Sequence, residues 1–303
     1  MAEIVESGVL IQDVETKNIM TKSTLPVGGY SVNPYVGCTH GCKYCYASFM
    51  KRFTGHTEPW GTFLDVKHWP AIKNPRKYAG QRVVIGSVTD GYLPQEEQFG
   101  NTRRLLEQLK DSGAEILICT KSDLVVRDID LLRFIQSRAP VLCKLTLTTA
   151  DDALAAKLEP RAPSPTRRLE AVRALSRAGI PVCILLMPVL PFVEDTEENV
   201  LAVTEAAAEA GARYIYPAFG MTQRQGQRSW YLDRLEAAFP GQGLREKHEK
   251  RYGDRYVCTS PRARRLWEVF SRRCGELGLL YEMRRITANY QRGYEDRQLS
   301  FLD

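Results

Sequence analysis

Cys38, Cys42 and Cys45 stand in the run NPYVGCTHGCKYCYA, a CxxxCxxC spacing that puts three thiols on one short loop. This is the residue pattern that holds a four-iron four-sulfur (4Fe-4S) cluster by three thiolates. Such clusters are ordinarily held by four cysteine thiolates, so a three-thiolate site leaves one iron open to another ligand. The competing use of the same residues is a zinc site completed by His40. Zinc sites usually pair a C-x2-4-C element with a second, distant pair of ligands, and no such pair follows here. Eight cysteines in 303 residues are too sparse for a disulfide scaffold. Three of them at metal-ligand spacing suit a compartment where thiols stay reduced.

The elements around this loop alternate. Apolar runs read as strands at Tyr30 to Tyr35, Arg82 to Val88, Glu115 to Thr120, Val141 to Thr149, Ile180 to Pro188 and Ala212 to Ala218. Helical patterns fall between them at Asn101 to Ser112, Asp128 to Ser137, Pro165 to Ala178 and Thr196 to Ala210. Gly113, Gly179 and Gly211 each follow a helical run and suit the left-handed residue that ends a helix. Asp195 or Thr196, followed by Glu197 and Glu198, gives a capped acidic first turn matched to the helix dipole. Strands alternating with helices predict a parallel sheet with helical crossovers, as six strand–helix units. A partial (β/α)6 TIM-like barrel and a doubly wound sheet both satisfy this pattern. In either, active residues belong at the C-terminal ends of the strands, and the cysteine loop follows the first strand.

Beyond the cysteines, residues 22 to 195 resemble the radical SAM proteins related to spore photoproduct lyase, often labelled DNA repair photolyases. The matching pieces are NPYVGCTHGCKYCYA, GSVTDGYLPQE, TKSDLVVRDIDLL, LTLTTADD, LEPRAPSPTRRLEAVRALSRAGI and PVLP, in that order. The resemblance implies an α/β fold, the partial (β/α)6 barrel, with a helical C-terminal extension. It also implies a 4Fe-4S cluster on Cys38, Cys42 and Cys45, with S-adenosylmethionine on the open iron and Tyr44 against its adenine. By the same resemblance Thr89, Asp90, Lys121 and Thr146 line the cofactor pocket, with Thr148 on the same strand. A hydroxyl or carboxylate suits the cofactor's ammonium and ribose hydroxyls, and Lys121 or Arg161 suits its carboxylate. Each has a packing alternative: threonine is common on strands, and Asp90 and Arg161 serve equally well in surface ion pairs.

One departure stands out. Spore photoproduct lyase carries a hydrogen-donating cysteine just after its second strand, where this chain has Ser87. A serine O–H is too strong to replace a thiol, which argues against spore photoproduct lyase activity itself. Among the other thiols, Cys119, Cys143 and Cys183 lie on strands and read as small buried hydrophobes. Cys258, in the loop YVCTSPR, is the candidate for radical chemistry. Cys258 and Cys274 are too few for a second cluster.

The domain reading is an N-terminal segment over residues 1–29, the barrel over 30–222 and a basic helical extension over 223–303. Residues 223–290 hold 15 Lys/Arg against 8 Asp/Glu, a net of +7, while the whole chain carries +6. Interleaved with Trp230, Tyr231, Tyr252, Tyr256, Trp267, Tyr281 and Tyr290, this excess suits phosphate neutralisation and base stacking, with Arg264, Arg265, Arg272 and Arg273 as the arginines to test. A packing cap is the alternative. The closing residues QLSFLD resemble the short peptide by which bacterial repair proteins dock on the sliding clamp, with Phe301 and Leu302 in swapped order.

The function expected is reductive cleavage of S-adenosylmethionine to a 5′-deoxyadenosyl radical that abstracts hydrogen from a nucleic-acid or nucleic-acid-linked substrate. A flavodoxin- or ferredoxin-like protein is the expected one-electron reductant. The alternatives are a radical SAM enzyme that modifies a peptide or protein, and a non-enzymatic, zinc-bearing nucleic-acid-binding adaptor. Hydrophobic residues at 44% and charged residues at 26% match an ordinary globular protein. No apolar run spans a bilayer and no secretory signal is evident, so the expected location is cytoplasmic.

Overall fold

Six of the apolar runs form parallel strands laid side by side in chain order. They are β1 (Tyr30–Val32), β2 (Arg82–Ile85), β3 (Glu115–Thr120), β4 (Val141–Thr146), β5 (Val182–Leu186) and β6 (Tyr214–Pro217). Each pairs in parallel with the next, and Thr21–Lys22 adds an antiparallel edge beside β1. The computed structural model describes residues 4–6, 8–23, 28–224 and 226–294. Strictly sequential strand order has no switch point, which decides for a partial barrel over a doubly wound sheet. Four crossover helices cover its outside: α1 (Asn101–Leu109), α2 (Ile129–Gln136), α3 (Pro165–Arg177) and α4 (Glu197–Glu209). The caps are as expected. Ser164 accepts from the Arg167 N–H ahead of Pro165, Thr196 accepts from the Asn199 N–H, and Gly113, Gly179 and Gly211 take positive φ.

Most strands end earlier than their apolar runs. β4 stops at Thr146 and β2 at Ile85, because residues beyond those points turn into the loops that build the site. The run after Tyr30 also splits. Tyr35–Val36 leaves the barrel and joins a second sheet in which Val9–Glu15 runs parallel to Phe63–His68.

The C-terminal helices are α5 (Gln227–Ala238), α6 (Leu244–Tyr252), α7 (Ala263–Leu277) and α8 (Met283–Tyr290). They serve three separate places. Helices α5 and α6 share a core with Tyr44, Leu158 and Leu190, close behind the cysteine loop. Helix α7 packs on α4, with Leu266, Phe270 and Cys274 in the main core. Arg265 binds Glu197 through two nitrogens at 2.8 and 2.9 Å, and Arg273 reaches Glu205 at 2.9 Å and Glu276 at 2.8 Å. These arginines therefore pin a helix to the outside of the barrel, each through a glutamate of α4. Arg264 pairs with Glu268 of its own helix. Beyond α7, Leu280 hydrogen-bonds to the backbone of Arg213 and Ile215, covering the exposed edge of β6.

Helix α8 closes the barrel from below. Its Ile286 and Tyr290 pack with Val84, Leu117, Leu142, Cys183 and Tyr214 inside the strands. The Tyr214 hydroxyl donates to Asn289 at 2.7 Å, and Tyr290 donates to Glu115, itself paired with Arg82 at 3.0 Å. The barrel is thus a cup, open at the C-terminal ends of its strands. The expected clamp-docking tail, Gln298 to Asp303, lies outside the described residues. Among the described residues no helix is long and apolar enough to cross a membrane.

His248 of α6 gives the fold a titratable weak point. It is buried edge-on against Phe192 and Tyr231 and tilted on Tyr252. Burial lowers its pKa from 6.5 to about 4, partly offset by the backbone of Pro191. Below pH 6.5 the unfolded chain takes up a proton that the folded chain refuses, so stability should fall as pH drops from 6.5 to about 4 and change no further from this group below that. Thermal melting across that range should show the slope in the native protein and a smaller one in His248→Phe.

Candidate active site

A cavity of ≈ 650 Å³ opens at the C-terminal ends of the strands, and all three clustered cysteines line it. Tyr44 of the same loop lines it too, as do Thr89 after β2, Lys121 after β3 and Thr146 at the end of β4. These residues come from segments more than a hundred positions apart, brought together because parallel strands all present their C-terminal ends on one side.

The loop is shaped by close approaches of backbone. Gly37, with φ 85°, lies so near Phe63 that a Cβ would stand 2.4 Å from the Phe63 carbonyl oxygen. Gly41, with φ 62°, is covered by the Arg161 guanidinium. The Lys43 N–H donates to the Leu158 carbonyl at 2.8 Å, and Gln227 of α5 donates to the Cys45 carbonyl at 2.8 Å. Asn33, at the exit of β1, accepts from the Val88 and Thr89 N–H groups and donates to Ser87, fixing the loop after β2.

Asp90 joins these parts. One carboxylate oxygen accepts from the Thr120 hydroxyl at 2.6 Å and the Tyr92 N–H at 2.9 Å; the other accepts from the Lys121 N–H at 2.7 Å and His40 Nε2 at 3.1 Å. Burial alone would raise its pKa. The facing His40, the Lys121 N–H and the Thr120 hydroxyl outweigh that and hold it at about 2. Asp90 lines the cavity with these four donors on its carboxylate, and so positions the loops that supply them. On its other side His40 Nδ1 lies 3.3 Å from the Arg161 carbonyl oxygen.

Arg161 and Thr148 are engaged with the protein and are not among the cavity-lining residues. The Arg161 guanidinium donates to the Gly61 carbonyl behind the loop, because the chain turns back after the helix Asp152–Leu158. Thr148 lies past the end of β4 and donates to Glu194 at 2.7 Å, away from the cavity. Cys258 is also displaced. It sits on the short strand Val257–Thr259, whose flanking residues line the cavity while the thiol points the other way, into the core of α5 and α6. Strand alternation dictates this. The non-cluster cysteine lining the cavity is Cys119 of β3.

Tyr44 is held by its hydroxyl, which donates to buried Glu159, and Glu159 pairs with buried Arg168. The Lys121 ammonium lies 5.5 Å from the centre of the Tyr44 ring. Burial raises the thiol pKa of Cys38 and Cys42 to about 12 and of Cys45 to about 11. Thiolates form here only with a strong cation to balance them. Among the described residues no three His, Cys, Asp or Glu side chains converge on one ion position. Three thiols on one cavity are a donor set that could give one thiolate to each of three irons.

Lys144, also on the cavity wall, was not among the expected residues. Its signal in the sequence is a lysine inside VLCKLTLT, an otherwise uncharged buried strand, where a charged residue is rare without a partner. An exposed ledge joins three segments that continue in the chain from the cavity-lining residues Ala47, Thr222 and Val257. Arg224 lies 4.2 Å over Phe49 and 5.5 Å over Tyr256, and Arg52 lies 4.6 Å over Phe53. Phe53 is 66% and Tyr256 48% exposed.

The loop geometry makes a direct prediction. Gly37→Ala keeps every cysteine but meets the Phe63 carbonyl and a left-handed backbone, a strain on the order of 1–2 kcal/mol from conformation alone. Iron bound per chain after anaerobic reconstitution should fall well below that of the native protein; full loading would show that the loop tolerates the shift.

Residues 32–212 match the family described as the Radical SAM superfamily. An uncharacterised protein of Methanocaldococcus jannaschii is 35% identical over 193 residues, covering 63% of this chain and 72% of that protein. The radical SAM Nα-GlyT isomerase of Pseudomonas phage M6 is 27% identical over 199 residues, 65% of this chain and 38% of the isomerase. In fold, the chain superposes on spore photoproduct lyase complexed with dinucleoside spore photoproduct with a TM-score of 0.66 at 15% identity, over 89% of this chain and 81% of that one. The matched segment contains the cysteine loop and strands β2 to β5 that form the cavity, and the chain is an enzyme of the radical SAM superfamily.

Proposed function

We propose that Cys38, Cys42 and Cys45 hold a 4Fe-4S cluster whose open iron binds S-adenosylmethionine, and that the enzyme abstracts hydrogen from a nucleic-acid or nucleic-acid-linked substrate. The observation that carries the first part is the convergence of three thiols, Tyr44 and Lys121 on one cavity. When bound and reduced, such a cluster passes one electron to S-adenosylmethionine and so supplies the 5′-deoxyadenosyl radical that takes a hydrogen atom from the substrate.

The chain's own residues prepare that event. Lys121 offers its cation beside Cys42 and Tyr44, matched to the methionyl carboxylate. Thr89 and Thr146 present hydroxyls to the ammonium or ribose. Tyr44, fixed by Glu159, offers a flat face to the adenine. Val84, Val88, Leu185, Met187 and Phe219 add apolar wall around them, and helix α8 seals the floor, so water is kept from the reacting atoms. A flavodoxin- or ferredoxin-like protein is the class of reductant this chemistry calls for.

The ledge of Arg52, Phe53, Arg224 and Tyr256 supports a nucleic-acid substrate over a peptide. Guanidinium groups beside exposed rings neutralise phosphates and stack bases. A solved structure of similar fold is a spore photoproduct lyase complexed with a dinucleoside photoproduct, which agrees in kind.

Anaerobically reconstituted protein should bind close to four irons, as a 4Fe-4S cluster requires, and form 5′-deoxyadenosine with S-adenosylmethionine and dithionite. Single changes of Cys38, Cys42 or Cys45 to Ala should remove both, and stoichiometric zinc without iron would refute the assignment. On single-stranded oligonucleotides, Arg52→Gln with Arg224→Gln should flatten the salt dependence of binding by about 0.7 per lost phosphate contact. Phe53→Ala or Tyr256→Ala should weaken binding by about 1–3 kcal/mol per stacked base while leaving the salt slope unchanged. Unchanged affinity in all of these would take the ledge out of substrate binding.

A further inference from the structure

Lys144 lies deep in the cavity. On β4 it is in register between Cys119 of β3 and Cys183 of β5, two residues and so about 6.6 Å below Thr146 along the strand. It is only 8% exposed. Among the described residues no hydrogen bond or ion pair reaches its ammonium, and its neighbours in the row are thiols and, beyond Cys183, Tyr214. Asp90, the carboxylate on the cavity wall, is consumed by His40, Thr120, Tyr92 and Lys121. The Lys121 cation stands elsewhere, over Tyr44.

An ammonium that ends a largely buried side chain and reaches the cavity without a counter-charge among the described residues is costly to keep, and replacing it with an apolar side chain of similar size ordinarily stabilises a fold. A lysine at such a position, facing a cavity of ≈ 650 Å³, calls for an anion from outside the chain. Depth separates that anion from the methionyl carboxylate, for which Lys121 is placed. We propose that Lys144 binds an oxyanion of the substrate, a phosphate or a carboxylate, at the floor of the cavity and so sets how far the substrate enters. This inference rests on the nucleic-acid reading only for the molecule that carries the oxyanion.

The test is calorimetric binding to the reconstituted holoenzyme with S-adenosylmethionine present, using thymidine, thymidine 5′-monophosphate, inorganic phosphate and acetate. The native enzyme should prefer the nucleotide over the nucleoside by at least about tenfold, the scale of one charge-assisted contact. Lys144→Met should erase that preference, leave thymidine affinity in place and melt no lower than the native protein. Lys144→Gln should behave alike in binding and serves if the Met variant folds poorly. Stronger competition by phosphate assigns a phosphate and by acetate a carboxylate; either supports the site. Anion binding that depends on Lys144 without any nucleoside or nucleotide binding would uphold the site and reject the nucleic-acid reading. A nucleotide preference that survives both variants, or no Lys144-dependent binding of any of the four, overturns the proposal.

Discussion

The buried carboxylate of Asp90 is the constraint on which the site depends. A carboxylate out of water is tolerable only when its oxygens are fully bonded, and the four donors here come from the cysteine loop, the loop after β2 and the end of β3. All three must be in place for any one bond to be worth making. Removing one partner of such a buried network typically costs about 3–5 kcal/mol. The arrangement thus locks the cysteine loop to the strand ends before any cofactor arrives, and it fixes Lys121 by its own backbone.

A second buried ion pair does the same for the other side of the loop. Glu159 and Arg168 come from the turn after the helix Asp152–Leu158 and from α3, and they orient Tyr44 between them and the cavity. Arg168 also donates to the Thr146 carbonyl at 3.1 Å, tying the end of β4 to the same group. The site is built from groups spent on each other, with the free chemistry left to three thiols, two lysines and a few hydroxyls. That division suits radical chemistry, in which the protein positions and shields while the cofactor reacts.

The basic excess of the last third of the chain has a divided use. Exposed pairs such as Arg265 with Glu197 contribute little individually, roughly 0–1 kcal/mol, yet they set where α7 docks. The cations of the aromatic ledge are Arg52, outside that third, and Arg224, at its start. Composition shows an excess of charge; it does not show which face the charge occupies.

The cysteine spacing, the strand–helix alternation and the caps were legible in the sequence because each is a local pattern, set by a few neighbouring residues. They fixed the family, the parallel arrangement and the lining roles of Tyr44, Thr89, Lys121 and Thr146 as expectations, and the cavity brings those four together. Asp90, Arg161, Thr148 and Cys258 were legible as residue types in the right neighbourhoods but not as contacts. Their side-chain directions depend on which residues arrive from far along the chain: His40 opposite Asp90, Gly61 opposite Arg161, Glu194 opposite Thr148, and the α5–α6 core behind Cys258. The choice of barrel over doubly wound sheet, the sealing of its floor by α8 and the lack of a partner for Lys144 among the described residues likewise belong to tertiary structure, since a strand's periodicity tells which residues share a face but not what that face meets.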